Sequence, residues 1–469
     1  MRTERDSLGT REIPDEAYWG IHTARALENF PLLGRPCARE LVRAMARVKR
    51  AAARTNRDLG CLGPEVADAI CNACQEMIEG TLAGAVVVDA LQGGAGTSLN
   101  MNVNEVLANR ASELLGGGRG ADAKVSALDE VNLHQSTNDV FPTALKVAAI
   151  TLLRRLEQKI AAVQSAFQDQ ERRAGDVVKI ARTQLQDAVP ITFGAEFSAW
   201  GEAFSRDRWR VFKCEERLRV VNLGGTAVGT GITAPRDYIF RVVDALRAET
   251  GFGLARAENL VDATQNADAF VEVSGILKAH AVNLLKISSD LRLLASGPRT
   301  GLGELRLPPR QAGSSIMPGK VNPVICEAAA QAAMLAIGND AMVTLAAGAG
   351  QLELNAFLPL LAHALLESLD VLIGADTVFA ELCVAGLEPD RARCAAHVAA
   401  SWATVTALVP ALGYARAAEL ARAAETTGRP VVELAADLID KETLQRLLSP
   451  EALTALGSAR LGSAGEMPE

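Results

Sequence analysis

The chain has 469 residues, 49% hydrophobic and 22% charged, enough for a sizeable core and more than one subdomain. Only 4% are aromatic while Ala and Leu recur throughout, a composition that favours helix packed on helix. The net charge of −8 offers no attraction to nucleic acid or an anionic membrane, so an anionic substrate must be held by local groups against the global field. The eight cysteines are scattered. Cys71 and Cys74 have the spacing of a metal or redox pair, but they lie in a helical pattern with no second pair or histidine cluster. They read as free thiols of a reducing compartment. The polar start Met-Arg-Thr-Glu-Arg-Asp, and the expectation of no apolar run long enough to span a membrane, agree with a cytoplasmic protein.

Along the chain, residues 1–30 are turn-rich, with Gly9, Pro14 and the run 15–23, and are expected to wrap a surface. Residues 39–59 and 64–79 show apolar side chains three and four apart and predict amphipathic helices. A glycine-rich coil at 86–96 leads into a helix over 97–115, stopped by Gly116-Gly-Gly-Arg-Gly120. Ser136-Thr-Asn-Asp139 is a strong N-cap cluster, with Pro142 expected in a tolerant first turn. Behind it Leu145, Ala148, Leu152, Leu156, Ile160, Val163 and Phe167 mark a helix of about 30 residues, roughly 45 Å long. Further long helices are expected over 193–221, 262–294, 324–347 and 359–387, with a glycine-rich turn at 224–231. Such helices suggest a side-by-side bundle whose apolar stripes exceed what one chain covers, so oligomerisation is expected. Shorter helices follow Glu388-Pro389, and a small polar tail at 457–469 is expected to fray. The class is mainly all-α, with boundaries near 137 and 392 that divide the chain into 1–137, 138–392 and 393–469.

One stretch carries the chemistry. Gln-Ala-Gly-Ser-Ser-Ile-Met-Pro-Gly-Lys-Val-Asn-Pro, residues 311–323, places two hydroxyls (Ser314, Ser315), a cation (Lys320) and an amide (Asn322) on a glycine-hinged loop. It resembles the signature of the aspartase/fumarase superfamily, whose members eliminate across a C–N or C–O bond of a succinyl group to leave fumarate. Gly93-Gly-Ala-Gly-Thr-Ser-Leu-Asn-Met-Asn-Val-Asn-Glu105, Val131-Asn-Leu-His-Gln-Ser-Thr-Asn-Asp139, Arg182-Thr-Gln-Leu-Gln-Asp-Ala-Val-Pro190 and the 224–231 glycine run resemble the same family, so the likeness spans nearly the whole chain. It implies three mostly helical domains and a homotetramer with a twenty-helix core, each active site drawing segments from three chains.

Elimination from aspartate removes a weakly acidic proton beside the β-carboxylate and loads a second charge onto that carboxylate. The site must aim several donors at it in advance. By resemblance Thr97, Ser136, Thr137 and Ser315 hold the β-carboxylate, helped by helix N-terminal N–H groups. Lys320, Asn322 and Thr183 hold the α-carboxylate, and Asn138 and Gln184 meet the amino group. Ser314 is the general base and, with Lys320, forms the catalytic pair. Gln184 bears on subtype. Fumarases resemble this chain but carry His there, paired with a Glu that aligns with Glu327. A Gln cannot exchange a proton, so the resemblance leans towards elimination of ammonia from L-aspartate. The alternatives are a fumarase, a lyase of the same superfamily acting on an N-substituted or modified aspartate, and a catalytically silent structural homologue. His134 reads as structural. The chain departs from the family's usual residues at Gly348, Leu358 and Val409. No cofactor and no metal site are expected: there is no dinucleotide fingerprint, phosphate loop or zinc set. The expected partner is the small-molecule substrate, with no nucleic acid and no membrane.

Overall fold

The computed structural model describes residues 1–457, and the chain is mainly helical. Residues 458–469, the end of the expected C-terminal domain and nearly all of the polar tail, lie outside the described residues.

The chain opens with an antiparallel hairpin, β1 (Arg2–Asp6) and β2 (Gly9–Ile13), then α1 (Ile21–Asn29), α2 (Arg39–Asp58), α3 (Pro64–Glu79) and α4 (Thr97–Leu114). The first long helix is α5 (Thr137–Arg173). A second hairpin, β3 (Val178–Thr183) with β4 (Gln186–Thr192), leads into α6 (Phe193–Leu218). The two-residue strands β5 (Val220–Val221) and β6 (Ala255–Arg256) pair in parallel around α7 (Arg236–Thr250). Next come α8 (Leu260–Gln265), α9 (Asp268–Leu294), and β7 (Leu305–Arg306), which pairs with β8 (Glu388–Pro389) across α10 (Val324–Gly348) and α11 (Leu358–Leu382). The short helices α12 (Arg391–Ala400), α13 (Val409–Leu412) and α14 (Tyr414–Thr427) follow.

Contacts group these elements into two compact units: Met1–Lys159, Asp207–Val282 and Ala332–Gly374 in the first, and Ile160–Arg206, Asn283–Gln331 and the chain from Ala375 in the second. In the first, α2 buries Leu41, Val42, Met45, Val48 and Ala52, the three-and-four spacing of one helix face. Its neighbour α3 starts on Pro64, where no N–H is needed, and stops at Gly80, left-handed at φ 100°. Glu105 of α4 is buried and accepts N–H bonds from Gly20, His22 and Thr23, which fastens the start of α1. In the second unit Phe167 packs against Phe197, Trp200, Phe204 and Phe379, with ring centroids 5.7–6.3 Å away. Val405, Leu408, Leu420, Ala424, Val431, Ala435 and Leu444 form a core of their own near the C-terminus.

Several expectations need correction. The first hairpin arises where turns alone were expected, and the second in a segment to which no element was assigned. The helix expected over 262–294 is two helices, because Asn266 is extended at ψ 142° and its side chain bonds back to Asp262. Pro142 lies in the second turn of α5, not the first. The expected absence of an apolar run of membrane-spanning length also fails. Among the described residues Leu358–Gly386 is long and apolar enough to cross a membrane, although most of its apolar window is buried inside the fold, as in a core helix.

Candidate functional site

In the first unit the glycine-rich turn before α4 brings two helix starts together. Gly96 is left-handed at φ 96°, and a Cβ there would lie 2.3 Å from the Phe141 ring. Only glycine lets the start of α4 rest against α5 at this point. Thr97 is the first residue of α4, with an exposed side chain whose Oγ1 donates to the Gly94 carbonyl at 2.8 Å.

The neighbouring start, α5, is held by a reciprocal cap. The Ser136 N–H donates to Asp139 Oδ1 at 3.0 Å, and Ser136 Oγ accepts from the Asn138 N–H at 3.2 Å. Pro142 has no N–H to give to the Asn138 carbonyl, and Asn222 Nδ2 takes its place at 3.0 Å. Asn138 Nδ2 in turn donates to the Ala227 carbonyl at 2.7 Å. The 222–227 segment is therefore fastened to the site through Asn138, while Thr137 is nearly buried at 8% exposure.

Beneath this segment lies a buried polar cluster. Lys49 is fully buried and donates to Asn132 Oδ1 at 2.9 Å; Asn100 and Asn104 donate to the same oxygen at 3.2 and 3.1 Å. Burial pushes the Lys49 ammonium down to about 7 and the Asp139 carboxyl up to about 6, although backbone N–H groups and Lys49 pull Asp139 the other way. His134 is bound to Asn56 Oδ1 at 2.7 Å and packs edge-on against Tyr238, a structural set of contacts. The sequence reading assigned no role to Asp139, Asn132 or Lys49. Asp139 and Asn132 lay within the family-like 131–139 stretch, Asp139 also in the cap cluster, and Lys49 carried no signal.

In the second unit Thr183 ends β3 opposite Gln186, and Gln184 and Leu185 make the connecting turn with φ 55° and 64°. Two non-glycine residues held left-handed in succession are strained, and such strain concentrates at functional sites. The side chains of Thr183 and Gln184 are exposed. The hairpin is anchored by Arg182, whose guanidinium grips buried Glu304 at 2.7 and 2.9 Å. His397 of α12 binds the same carboxylate at 2.7 Å, and Lys179 lies 3.7 Å from it. Burial pulls the Glu304 carboxyl upward, but the bonds from Arg182 and His397 outweigh it and leave the group below its ordinary value. Its contribution to stability is therefore present above about pH 4.5 and is lost as pH falls through the lower folded value. Glu304→Gln should cost about 3 kcal/mol at neutral pH, because half-buried Arg182 loses its paired carboxylate, while buried Lys179 keeps only Glu196 at 3.2 Å. A urea midpoint that does not move would refute this.

The 311–323 loop closes on itself. Gly313 N–H donates to the Lys320 carbonyl at 2.7 Å, Lys320 N–H to the Met317 carbonyl at 3.2 Å, and Asn322 Nδ2 to the Gly313 carbonyl at 2.8 Å. A Cβ on Gly313 would lie 2.6 Å from the Lys320 carbonyl oxygen, so the crossing needs glycine. Ser314 Oγ accepts two backbone N–H bonds, from Ile316 at 3.2 Å and Met317 at 2.9 Å. Ser315 and Lys320 are exposed, and Ile316 at the loop tip is 84% exposed. Asn322 spends one amide donor inside the loop. Glu327, in the first turn of α10, lies 3.9 Å from Arg292. Leu358, one of the departures from the family's usual residues, is 3% exposed, an environment that suits an apolar side chain. Thr97 and residues 136–138 thus belong to the first unit, and Thr183, Gln184 and the loop to the second. No group of three or more His, Cys, Asp or Glu suited to a metal ion occurs among the described residues.

A family model described as Lyase matches residues 9–338, and one described as Fumarase C C-terminus matches residues 405–455. An aspartate ammonia-lyase from Bacillus sp is 44% identical over 461 residues, 98% of each chain. Among solved structures, the fumarate lyase:delta crystallin from Brucella melitensis bound to cobalt superposes with a TM-score of 0.92 at 48% identity, covering 96% of this chain and 98% of that one. The class II fumarase from Schistosoma mansoni superposes with the same TM-score of 0.92 and the same coverage, 96% and 98%, at 34% identity. The chain belongs to this family of lyases, the aspartase/fumarase superfamily.

Proposed function

We propose that this lyase is an aspartate ammonia-lyase, which reversibly eliminates ammonia from L-aspartate to give fumarate. The observation that carries the reading is the end-to-end likeness to an aspartate ammonia-lyase, since the fold itself is shared equally with a fumarase. Gln184 supports the same choice, because a side chain that holds no exchangeable charge cannot run acid–base chemistry on a bound water.

In the mechanism Ser314 takes the proton from the carbon beside the β-carboxylate. The two N–H groups that already converge on its Oγ are the donors an alkoxide needs, and loop closure would strip away the competing water. Thr97, Ser136, Thr137 and Ser315 receive the charge that builds on the β-carboxylate. Lys320, Thr183 and the remaining donor of Asn322 hold the α-carboxylate, and Asn138 and Gln184 orient the amine, which leaves as ammonia. The three-domain division at 137 and 392 and the homotetramer belong to the same proposal. The tetramer is supported by α10, which is apolar around its circumference and leaves Met334, Leu335 and Leu345 at 56%, 43% and 72% exposure in one chain. A cytoplasmic setting is supported by eight unpaired thiols.

The test is fumarate absorbance in the ultraviolet, with L-aspartate and L-malate in parallel. Fumarate from aspartate alone is the expected result. Fumarate from malate would make the chain a fumarase and the use of Gln184 wrong. Silence with both would turn the reading to a modified aspartate or a structural homologue.

A further inference from the structure

Asp139 has no place in the donor set assigned above, yet every hydrogen bond recorded for its carboxylate comes from a backbone N–H at the site. It is fully buried. Oδ1 accepts from Ser136 N–H at 3.0 Å, and Oδ2 from Gly224 N–H at 2.9 Å and Thr226 N–H at 3.1 Å. These donors come from two segments some 85 residues apart. Gly224 and Thr226 are both left-handed, at φ 92° and 53°, and the N–H groups of these two alternate residues turn inward on one anion. A single carboxylate therefore fixes the start of α5 and the glycine-rich loop at once. Asn138, beside it, bridges the same two segments through Ala227 and Asn222.

We propose that ionised Asp139 is a positioning residue that holds Ser136, Thr137 and Asn138 in register with the 224–231 loop, and that the site loses its binding geometry when Asp139 takes up a proton. The inference rests on the reading that residues 136–138 face the substrate. The physical reason is local. Both oxygens are committed as acceptors, so a proton on either turns an acceptor into a donor facing an N–H. A buried N–H left without its acceptor then reorients the segment that carries it.

Two other titratable groups act on Asp139. Lys49 on α2 favours the ionised form; Tyr238 on α7 is buried, with a phenol that has no hydrogen-bond partner. Burial dominates and lifts the carboxyl from 3.8 to about 6. By sign, stability tied to the protonated form is full below pH 3.8 and is lost as pH rises through about 6. Folding stability and site geometry therefore pull oppositely on this proton.

The experiment is the pH profile of kcat/KM for wild type, Asp139→Asn and Lys49→Met, with folding checked by circular dichroism. Aspartate itself does not titrate near pH 6, so an acid limb there belongs to the enzyme. Wild type should show that limb. Asp139→Asn should lose roughly 100-fold in kcat/KM and show no limb near pH 6. Lys49→Met, which removes the neighbouring cation, should move the limb to higher pH. A limb that survives in Asp139→Asn, or fails to move in Lys49→Met, overturns the proposal; if Asp139→Asn does not fold, Lys49→Met decides. A wild type that is inactive with L-aspartate would instead sink the substrate reading. A readout free of substrate keeps the two apart: hydrogen–deuterium exchange across 222–231 should rise when wild type is taken below pH 6, after correction for intrinsic rates, and should rise at neutral pH in Asp139→Asn. Unchanged exchange overturns the proposal whatever the substrate.

Discussion

Ser314→Ala should lose roughly 10³-fold or more in kcat while still binding succinate and keeping its oligomeric state. The proton to be removed is so weakly acidic that elimination without a positioned base is negligible on the enzyme's timescale. Ser314 also has the environment a base of this kind requires. Its Oγ accepts from two successive N–H groups, Ile316 and Met317, as a serine at the head of a turn commonly does, and those same donors would stabilise negative charge on the oxygen. Removing only the oxygen leaves the loop's own closure, Gly313 to Lys320 and Asn322 to Gly313, untouched. The loss should therefore fall on kcat and not on binding. Turnover within a few-fold of wild type would mean that another group takes the proton.

Lys320→Met should weaken succinate inhibition by about 10- to 150-fold, the equivalent of about 1.5–3 kcal/mol for a hydrogen bond to a charged group. The argument is electrostatic. The chain carries −8 overall, the substrate and succinate both present two carboxylates, and Lys320 is the one cation in the proposed donor set. Its backbone is fixed by two loop hydrogen bonds, so replacement by an uncharged chain of similar length removes charge without reshaping the loop. An unchanged inhibition constant for succinate would remove Lys320 from the α-carboxylate role. The defect should grow at low ionic strength less than a purely long-range effect would, because the contact proposed is direct.

Much of the helical frame was legible because period and punctuation agreed. Residues 64–79 start on Pro64, end before Gly80 and repeat at three and four, and α3 has those bounds. The misses have physical causes. β3 and β4 are joined by Gln184 and Leu185, and nothing in a sequence announces a left-handed turn made without Gly, Asn or Asp. The break between α8 and α9 falls at Asn266, extended at ψ 142° with its amide on the Asp262 carboxylate, a local feature that an apolar stripe does not record. For the candidate site, the motifs pointed to the proposed donors, but not to the groups that hold them. Asp139 and Glu304 were invisible as anchors because their partners, Gly224 and Thr226 in one case and Arg182 and His397 in the other, are distant in sequence and become neighbours only in the fold.

Pro142 has a consequence for attempts to toughen this protein. A proline in a second helical turn is an obvious target for replacement by alanine, which would restore a main-chain bond and raise the local helix preference. Here the missing bond is a socket: the carbonyl it leaves open is the one that receives Asn222 and so ties the glycine-rich loop to the helix start. Restoring the N–H would install a rival for that carbonyl. The helix would gain while the link that keeps two distant stretches of chain in step would slacken, so rigidity added along α5 would be taken from the segments that carry the proposed donors.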